Sequence, residues 1–366
     1  MAGGLPRPCG DFRTSYGADQ TITVDKAARN WSIGLVILIA MLPLPTILNL
    51  GFDLVDAYIV NLMIQICYLG IAALGLNILV GFTGQISIGH AVFFGFGAFA
   101  SPFIFSHTGL PVLVCIPLAG LMTAAVGLIF GVPAARIKGL YLAIATLAAQ
   151  FILEDFFARA SWFTGGVAGA MAEPVTILGH AIFLDHEYFY IALGFTIVMY
   201  LLATNLMRTR DGRALIAVRD HYLSAEIMGI NLTKYRILSF GIGSFYAGVG
   251  GAIYAHYLGF VSIEAFNILL SIQFLGMIII GGLGSIIGTL MGTAFMVLLP
   301  EVMNAGARAL QGSVVDQLLN LQTSINFLRE MAIGAAIVLF LIFEPDGLAH
   351  RWRMIRASFK LYPFSY

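Results

Sequence analysis

The 366-residue chain is 59% hydrophobic and only 10% charged, with 19 basic and 19 acidic side chains and a formal net charge of zero. An ordinary soluble domain carries about 25% charged residues, so a water-soluble globule is excluded. Net charge names no partner and no nucleic acid is expected; the distribution of charge is what informs.

The first thirty residues, MAGGLPRPCGDFRTSYGADQTITVDKAARN, hold no apolar stretch ahead of a small-residue cleavage site, so no removable signal is expected. Residues 1–30 read as a cytoplasmic segment and 31–50 as the first of about ten membrane-spanning helices. From Ala57 to Ala135 the chain has no Asp, Glu, Lys or Arg, a run of 79 residues. A bilayer core of ~30 Å takes about 20 apolar residues per helix, so this run must recross the membrane. Pro and Gly clusters place spans at 57–80, 86–106 and 111–132. Cys67 and Cys115 fall inside spans and Cys9 stands far from both, which suggests packing positions and neither a disulfide nor a metal site.

The stretch GLNILVGFTGQISIGHAVFFGFGAFA, residues 75–100, sets glycines, Asn77, Gln85 and His90 at membrane depth. GFTGQ reads as a tight inside turn between the second and third spans. Its glycines fit two readings: close helix packing, or a thin wall bordering a translocation path. The run Gly84-QISI-Gly89-His90-Ala91 is a near miss for the phosphate-binding loop, which needs a Lys on the phosphates and a hydroxyl on magnesium where this chain has His90 and Ala91. Around Ser87 the nucleophile elbow lacks its leading glycine. No catalytic or cofactor-binding residue is expected on this chain, and the energy must come from another polypeptide.

Further spans are expected at 140–157 and 188–207, then at 237–257, 268–284, 286–303 and 327–343. Segments such as ILSFGIGSFYAGVGGAIYA are continuously apolar over helical lengths, which rejects a β-barrel of alternating strands. Thr146, Gln150 and Gln273 join Asn77, Gln85, Ser87 and His90 as polar residues at depth, each a satisfied interhelical hydrogen bond or a contact with cargo. His90 reads as neutral and structural. Glu154 and Asp155 read as interfacial, at the outer end of the fifth span.

Between the spans, residues 158–187 form a long outward segment, either a connector or an element along the membrane surface, and 208–236 form an inward loop. That loop holds six of the 19 basic residues. Asp220 reads as the N-cap of a short helix HYLSAEIM that Gly229 ends in the left-handed conformation, with Tyr222, Ala225, Glu226 and Gly229 at helical spacing. With the N-terminus inside, 16 of 19 Lys and Arg residues fall on the cytoplasmic side, leaving only Arg159, Arg308 and Arg329 outside. Both termini are then cytoplasmic, the basic tail 344–366 included, around a permease domain of residues 31–343.

Several stretches together resemble the LivM-type permease subunit of branched-chain amino acid ABC importers: GRALIAVRDHYLSAEIMGINLTKYRILSF, GGLGSIIGTLMG at 281–292, the glycine-rich opening at 75–100 and the tail GLAHRWRMIRASFKLYPFSY. The resemblance implies an all-α, polytopic permease fold of the type II-like class in a bacterial inner membrane. It implies a second homologous permease, two cytosolic ATPases that hold the ATP and magnesium, and a periplasmic binding protein. It also maps an ATPase-coupling helix onto Asp220 to Asn231, with Ala225, Glu226, Gly229, Ile230 and Asn231 matching best and Ser224 and Ile227 standing where small alanines are common. Urea, amides or small organic acids are alternative cargoes. A secondary transporter or channel is the remoter alternative, disfavoured because most of the spans carry no formal charge to hold a coupling ion.

Overall fold

The computed structural model describes residues 57–137, 139–177, 180–182, 184–309, 321–344 and 346–361. The expected segment 1–30, the span at 31–50 and Cys9 lie outside these residues. Each of the nine later spans corresponds to a helix. These are α1 Ala57–Asn77, running on as a π turn Ile78–Phe82, α2 His90–Thr108, α3 Val112–Ala134, α4 Leu140–Arg159, α5 Asp185–Arg208, α8 Leu232–Leu258, α9 Ile268–Gly281, α10 Ile286–Ala309 and α11 Leu321–Phe343. Among the described residues four α-helices lie outside the spans: a single turn at Ser161–Thr164, α6 Arg210–Asp220, α7 Tyr222–Ile227 and α12 Gly347–Leu361. Seven of the helices are long and apolar enough to cross a membrane. The protein is a polytopic α-helical membrane protein, as its composition requires.

Helix α8 is the centre, packed against α1, α2 and α3. Lipid tails are as apolar as the helices, so association depends on close van der Waals contact and small residues supply it. A methyl group on Gly251 would overlap the Phe94 carbonyl, one on Gly97 would overlap the Gly248 backbone, and one on Gly75 would overlap the Gly243 carbonyl. At these glycines the packing reading holds. Buried rings fill the space between them, with Phe94 against Tyr254, Phe266 and Phe274 at centroid distances of 5.4, 6.0 and 5.6 Å. Cys67 and Cys115 are buried in the same helices.

Two helices are shorter than the spans predicted for them. GFTGQ is not a tight turn: Gly84, at φ 72°, caps α1, its N–H reaching the Val80 carbonyl and that of Gln85 the Leu79 carbonyl. Residues 83–89 then run irregularly back into the bundle, and α2 starts only at His90. The His90 Nε2 lies 2.9 Å from the Ala72 carbonyl, ten residues before Phe82 and so about 15 Å up α1. Seven extended residues span at most about 25 Å, ample for that climb. The expected span 86–106 is therefore a helix that begins part-way through the bundle. Helix α9 has only 14 residues, about 21 Å, and is led in by a short strand at Phe260–Val261 and a 3-10 turn at Ile263–Phe266.

The outward segment is built into the bundle end. Strand β1 (Ala170–Met171) pairs antiparallel with β4 (Phe260–Val261), and β2 (Thr176–Ile177) pairs with β3 (His180–Ala181). These short ladders are the departure from the all-α expectation. Val175 and Ala172 are buried, so the segment caps this end and does not lie loose along a membrane. At the opposite end, α12 folds against the α9–α10 turn, where Gly347 meets the Gly282 backbone, and Glu344 pairs with Arg351. The Arg351 guanidinium holds the Glu344 carboxyl below the usual carboxylate range.

Candidate functional site

At the end that carries α12, the 208–236 loop folds as an arm of two helices. Thr209 caps α6, its hydroxyl accepting from the Gly212 N–H at 3.2 Å. Ala214, Leu215 and Val218, at helical spacing, are the buried face of α6. Two bonds fasten the arm's return to the bundle: the Tyr235 hydroxyl donates to Asp211 Oδ1 at 3.0 Å, and Arg236 Nη1 donates to the Ala135 carbonyl at 3.2 Å.

Asp220 is not the N-cap of the short helix. It is the last residue of α6, its carboxylate held by the Arg219 guanidinium at 2.8 Å, and the cap position of α7 is His221, with no side-chain capping bond. Asp220 is still within α6, one residue short of the cap position that His221 occupies. Gly229 does what its sequence position predicted: at φ 83° it ends α7, and the Ile230 N–H reaches back to the Ala225 carbonyl at 3.0 Å. Asn231 opens the next helix, its Oδ1 accepting from the Lys234 N–H at 3.0 Å.

Within α7 only Ala225 is buried. Tyr222, Ser224 and Glu226 are exposed, and beside them Ile227 and Met228 are 85% and 82% exposed. A solvated loop has no reason to display two large apolar side chains together, and such a patch is what a docking surface looks like.

The polar residues at depth divide into two groups. Asn77 is a tie between α1 and the α9–α10 turn: its Nδ2 donates to Thr289 Oγ1 at 2.7 Å and to the Ser285 carbonyl at 3.0 Å, while its Oδ1 accepts from the Gly284 N–H at 2.9 Å. Gln85 donates to Ser239 Oγ at 2.6 Å, fixing the irregular segment to α8. His90 hydrogen-bonds Ala72 and stands edge-on to Phe274, an interhelical role of the kind expected of it.

The second group gathers where α2 begins. The Ile88 N–H donates to Thr146 Oγ1 at 3.0 Å and the Ala91 N–H to Ser271 Oγ at 2.9 Å. Ser271 donates to Gln150 Oε1 at 3.2 Å, and Gln150 Nε2 donates to the Phe266 carbonyl and to Glu154 Oε1, both at 2.7 Å. Donors at the start of a helix have no intrahelical partner, so a helix can begin inside a bundle only where side chains receive them. Glu154, expected at the interface, is half-buried and joined to this network, whereas Asp155 is exposed and paired with Arg159. Gln273 is half-buried and lies outside the network. Gln85 Oε1 and Ser87 Oγ are buried without a hydrogen-bond partner among the described residues.

Ser271, Arg219 and His256 were not singled out from the sequence. Ser271 and His256 sit in apolar helices, and the partners that give them meaning are more than eighty residues away in the chain. Arg219 was visible only as one of several loop cations.

The family model described as branched-chain amino acid transport system / permease component matches residues 58–341. The chain is 28% identical over 302 residues to the high-affinity branched-chain amino acid transport system permease protein LivM of Salmonella typhimurium, an alignment covering 76% of this chain and 67% of that one. Identity to the LivM protein of Escherichia coli is 27% over the same length and the same shares of the two chains. The ribose import permease protein RbsC of Haemophilus influenzae is 25% identical over 282 residues, 74% of this chain and 84% of its own. No solved structure matches the chain.

Proposed function

The chain belongs to the branched-chain amino acid transport system permease family, and on that premise we propose that it pairs with a second, similar permease to pass branched-chain or other small amino acids inward. As a permease of the ABC importer kind it is a multi-pass inner-membrane subunit and supplies the path, not the hydrolysis. In this reading two ATPases dock beneath it and a periplasmic binding protein delivers cargo to the end capped by residues 158–187. The arm end is the cytoplasmic one, because the Arg and Lys residues of α6 and α8 and the basic helix α12 gather there.

The observation that carries the reading is α7: a short helix capped by Gly229, seated on Ala225, presenting Ile227 and Met228 outward. An apolar patch on a rigid arm at one end of the bundle fits a groove on a partner. Replacing Ile227 and Met228 together by Asp should leave expression and membrane insertion intact and abolish co-purification of the ATPases. ATPases retained at the wild-type ratio, or uptake by the chain alone in liposomes driven only by an ion gradient, would sink it.

The cargo has a second reading, because a ribose importer's permease aligns over 74% of the chain. Selectivity in such a system rests with the separate binding protein. Titration calorimetry of the cognate binding protein with leucine, isoleucine and valine, then with amides, organic acids and pentoses, decides between them.

A further inference from the structure

Arg219 stands where three moving parts would have to meet. It is the penultimate residue of α6, two residues before the His221 cap of α7 gives way to the helix proper, and its side chain is only 23% exposed. Nη1 donates to the Gly81 carbonyl at 2.6 Å, in the last turn before α1 gives way to the irregular segment 83–89. The same nitrogen lies 3.0 Å from where a methyl group on Gly284 would sit, and the side-chain stem runs alongside Gly84, Cγ being 3.1 Å from a methyl group placed there. Nε donates to Asp220 Oδ1 at 2.9 Å, which fixes the plane of the guanidinium.

Gly284 is in turn held to α1 through Asn77. The end of α1 and the α9–α10 turn, about 200 residues apart in the chain, thus form one assembly with the guanidinium seated against both. Glycine at 81 and 284 is required for that approach: a methyl group on Gly81 would overlap Asn77, and Gly284 has φ 79°.

We propose that Arg219 is the positioning residue that delivers displacement of the α6–α7 arm to both glycine-rich turns, and through Gly81 and Gly84 to the segment that leads into α2. This inference rests on the importer reading above. A guanidinium suits the task because its planar fork bonds the carbonyl and the carboxylate at once, where an ammonium is a point charge on a flexible stem. The last carbonyls of a helix lack intrahelical partners, so the bond to Gly81 fills a vacancy and does not compete with the helix ladder. A shift of the arm has little slack to absorb it, since a hydrogen bond joins Arg219 to Gly81 and its side chain leaves no room for a methyl group at Gly84 or Gly284.

The test is a complete transporter reconstituted in liposomes with its ATPases and binding protein, comparing the unsubstituted chain with Arg219→Ala, Arg219→Lys and Asp220→Ala. Arg219→Ala should recruit ATPases normally, yet the stimulation of ATP hydrolysis by loaded binding protein should fall about fivefold or more and uptake with it. Arg219→Lys should recover part of the coupling, and Asp220→Ala, which leaves the Gly81 bond in place, should lose part. A residue that merely caps α1 would lower thermal stability without changing the ratio of cargo moved to ATP hydrolysed. Full coupling in Arg219→Ala with normal recruitment overturns the inference alone. Where Arg219→Ala fails to assemble, unaltered coupling in both Arg219→Lys and Asp220→Ala overturns it equally. Failure of the unsubstituted chain to recruit ATPases overturns the importer reading and takes this inference with it.

Discussion

Gly251 and Gly334 are both glycines within long helices, yet they face different surroundings. Gly251 lies on α8 under the Phe94 carbonyl, while none of the described residues stands within 4 Å of a methyl group added to Gly334 on α11. Alanine is the better helix former by about 0.5–1 kcal/mol where space allows, whereas overpacking a close contact costs about 1–3 kcal/mol or more. Gly334→Ala should therefore leave the thermal midpoint in detergent unchanged or slightly raised, and Gly251→Ala should lower it by several degrees. Equal midpoints for the two variants would show that α8 does not pack by backbone contact. Asn77, read from the sequence as a pathway or packing residue, is buried and spends three side-chain hydrogen bonds on the α9–α10 hairpin.

Helices α2 and α9 show where sequence reading succeeds and where it stops. Nine helices were legible, seven of them long and apolar enough to cross a membrane, because hydropathy registers long apolar runs without knowledge of neighbours. The point at which α2 begins was not legible. Residues 83–89, TGQISIG, carry no charge or proline to mark the break, and the groups that receive the backbone donors of Ile88 and Ala91, Thr146 and Ser271, come from two other helices. Helix α6 was missed for a different reason: GRALIAVRD carries its apolar face at helical spacing, but its charges read as a solvated loop and Asp220 as the cap of the next helix. If Ser271 does support the start of α2, Ser271→Ala should cost about 1–3 kcal/mol, the penalty of a buried donor left unpaired, with Ser271→Thr restoring most of it. Hydrogen exchange at Ala91 and the residues after it, measured by mass spectrometry, should quicken in the alanine variant and not in the threonine one. Unchanged protection in Ser271→Ala would mean that α2 is held by packing alone.

Across the whole molecule, the end opposite the arm is fastened differently from the end that bears it. Outer segment 158–187 is tied to α2 and α8 by a buried chain in which Ser101 Oγ lies 2.8 Å from His256 Nε2 and His256 Nδ1 lies 2.7 Å from the Glu173 carbonyl. The β1–β4 ladder, with Ala170 opposite Val261, ties it again to the residues just after α8. Both fastenings join the segment to the same helices, so it should travel with α2 and α8 as one body while the path opens and closes elsewhere. A cross-link inside that body should then be tolerated. Partners in an antiparallel ladder have Cα atoms about 4.5–5.5 Å apart, within disulfide range. Ala170→Cys with Val261→Cys, on a Cys9→Ser background, should oxidise readily, raise stability by about 2–4 kcal/mol and leave uptake within about twofold of the reduced protein. If oxidation instead halts uptake and reductant restores it, strands β1 and β4 must separate in each cycle, and the segment is a gate hinged away from α8.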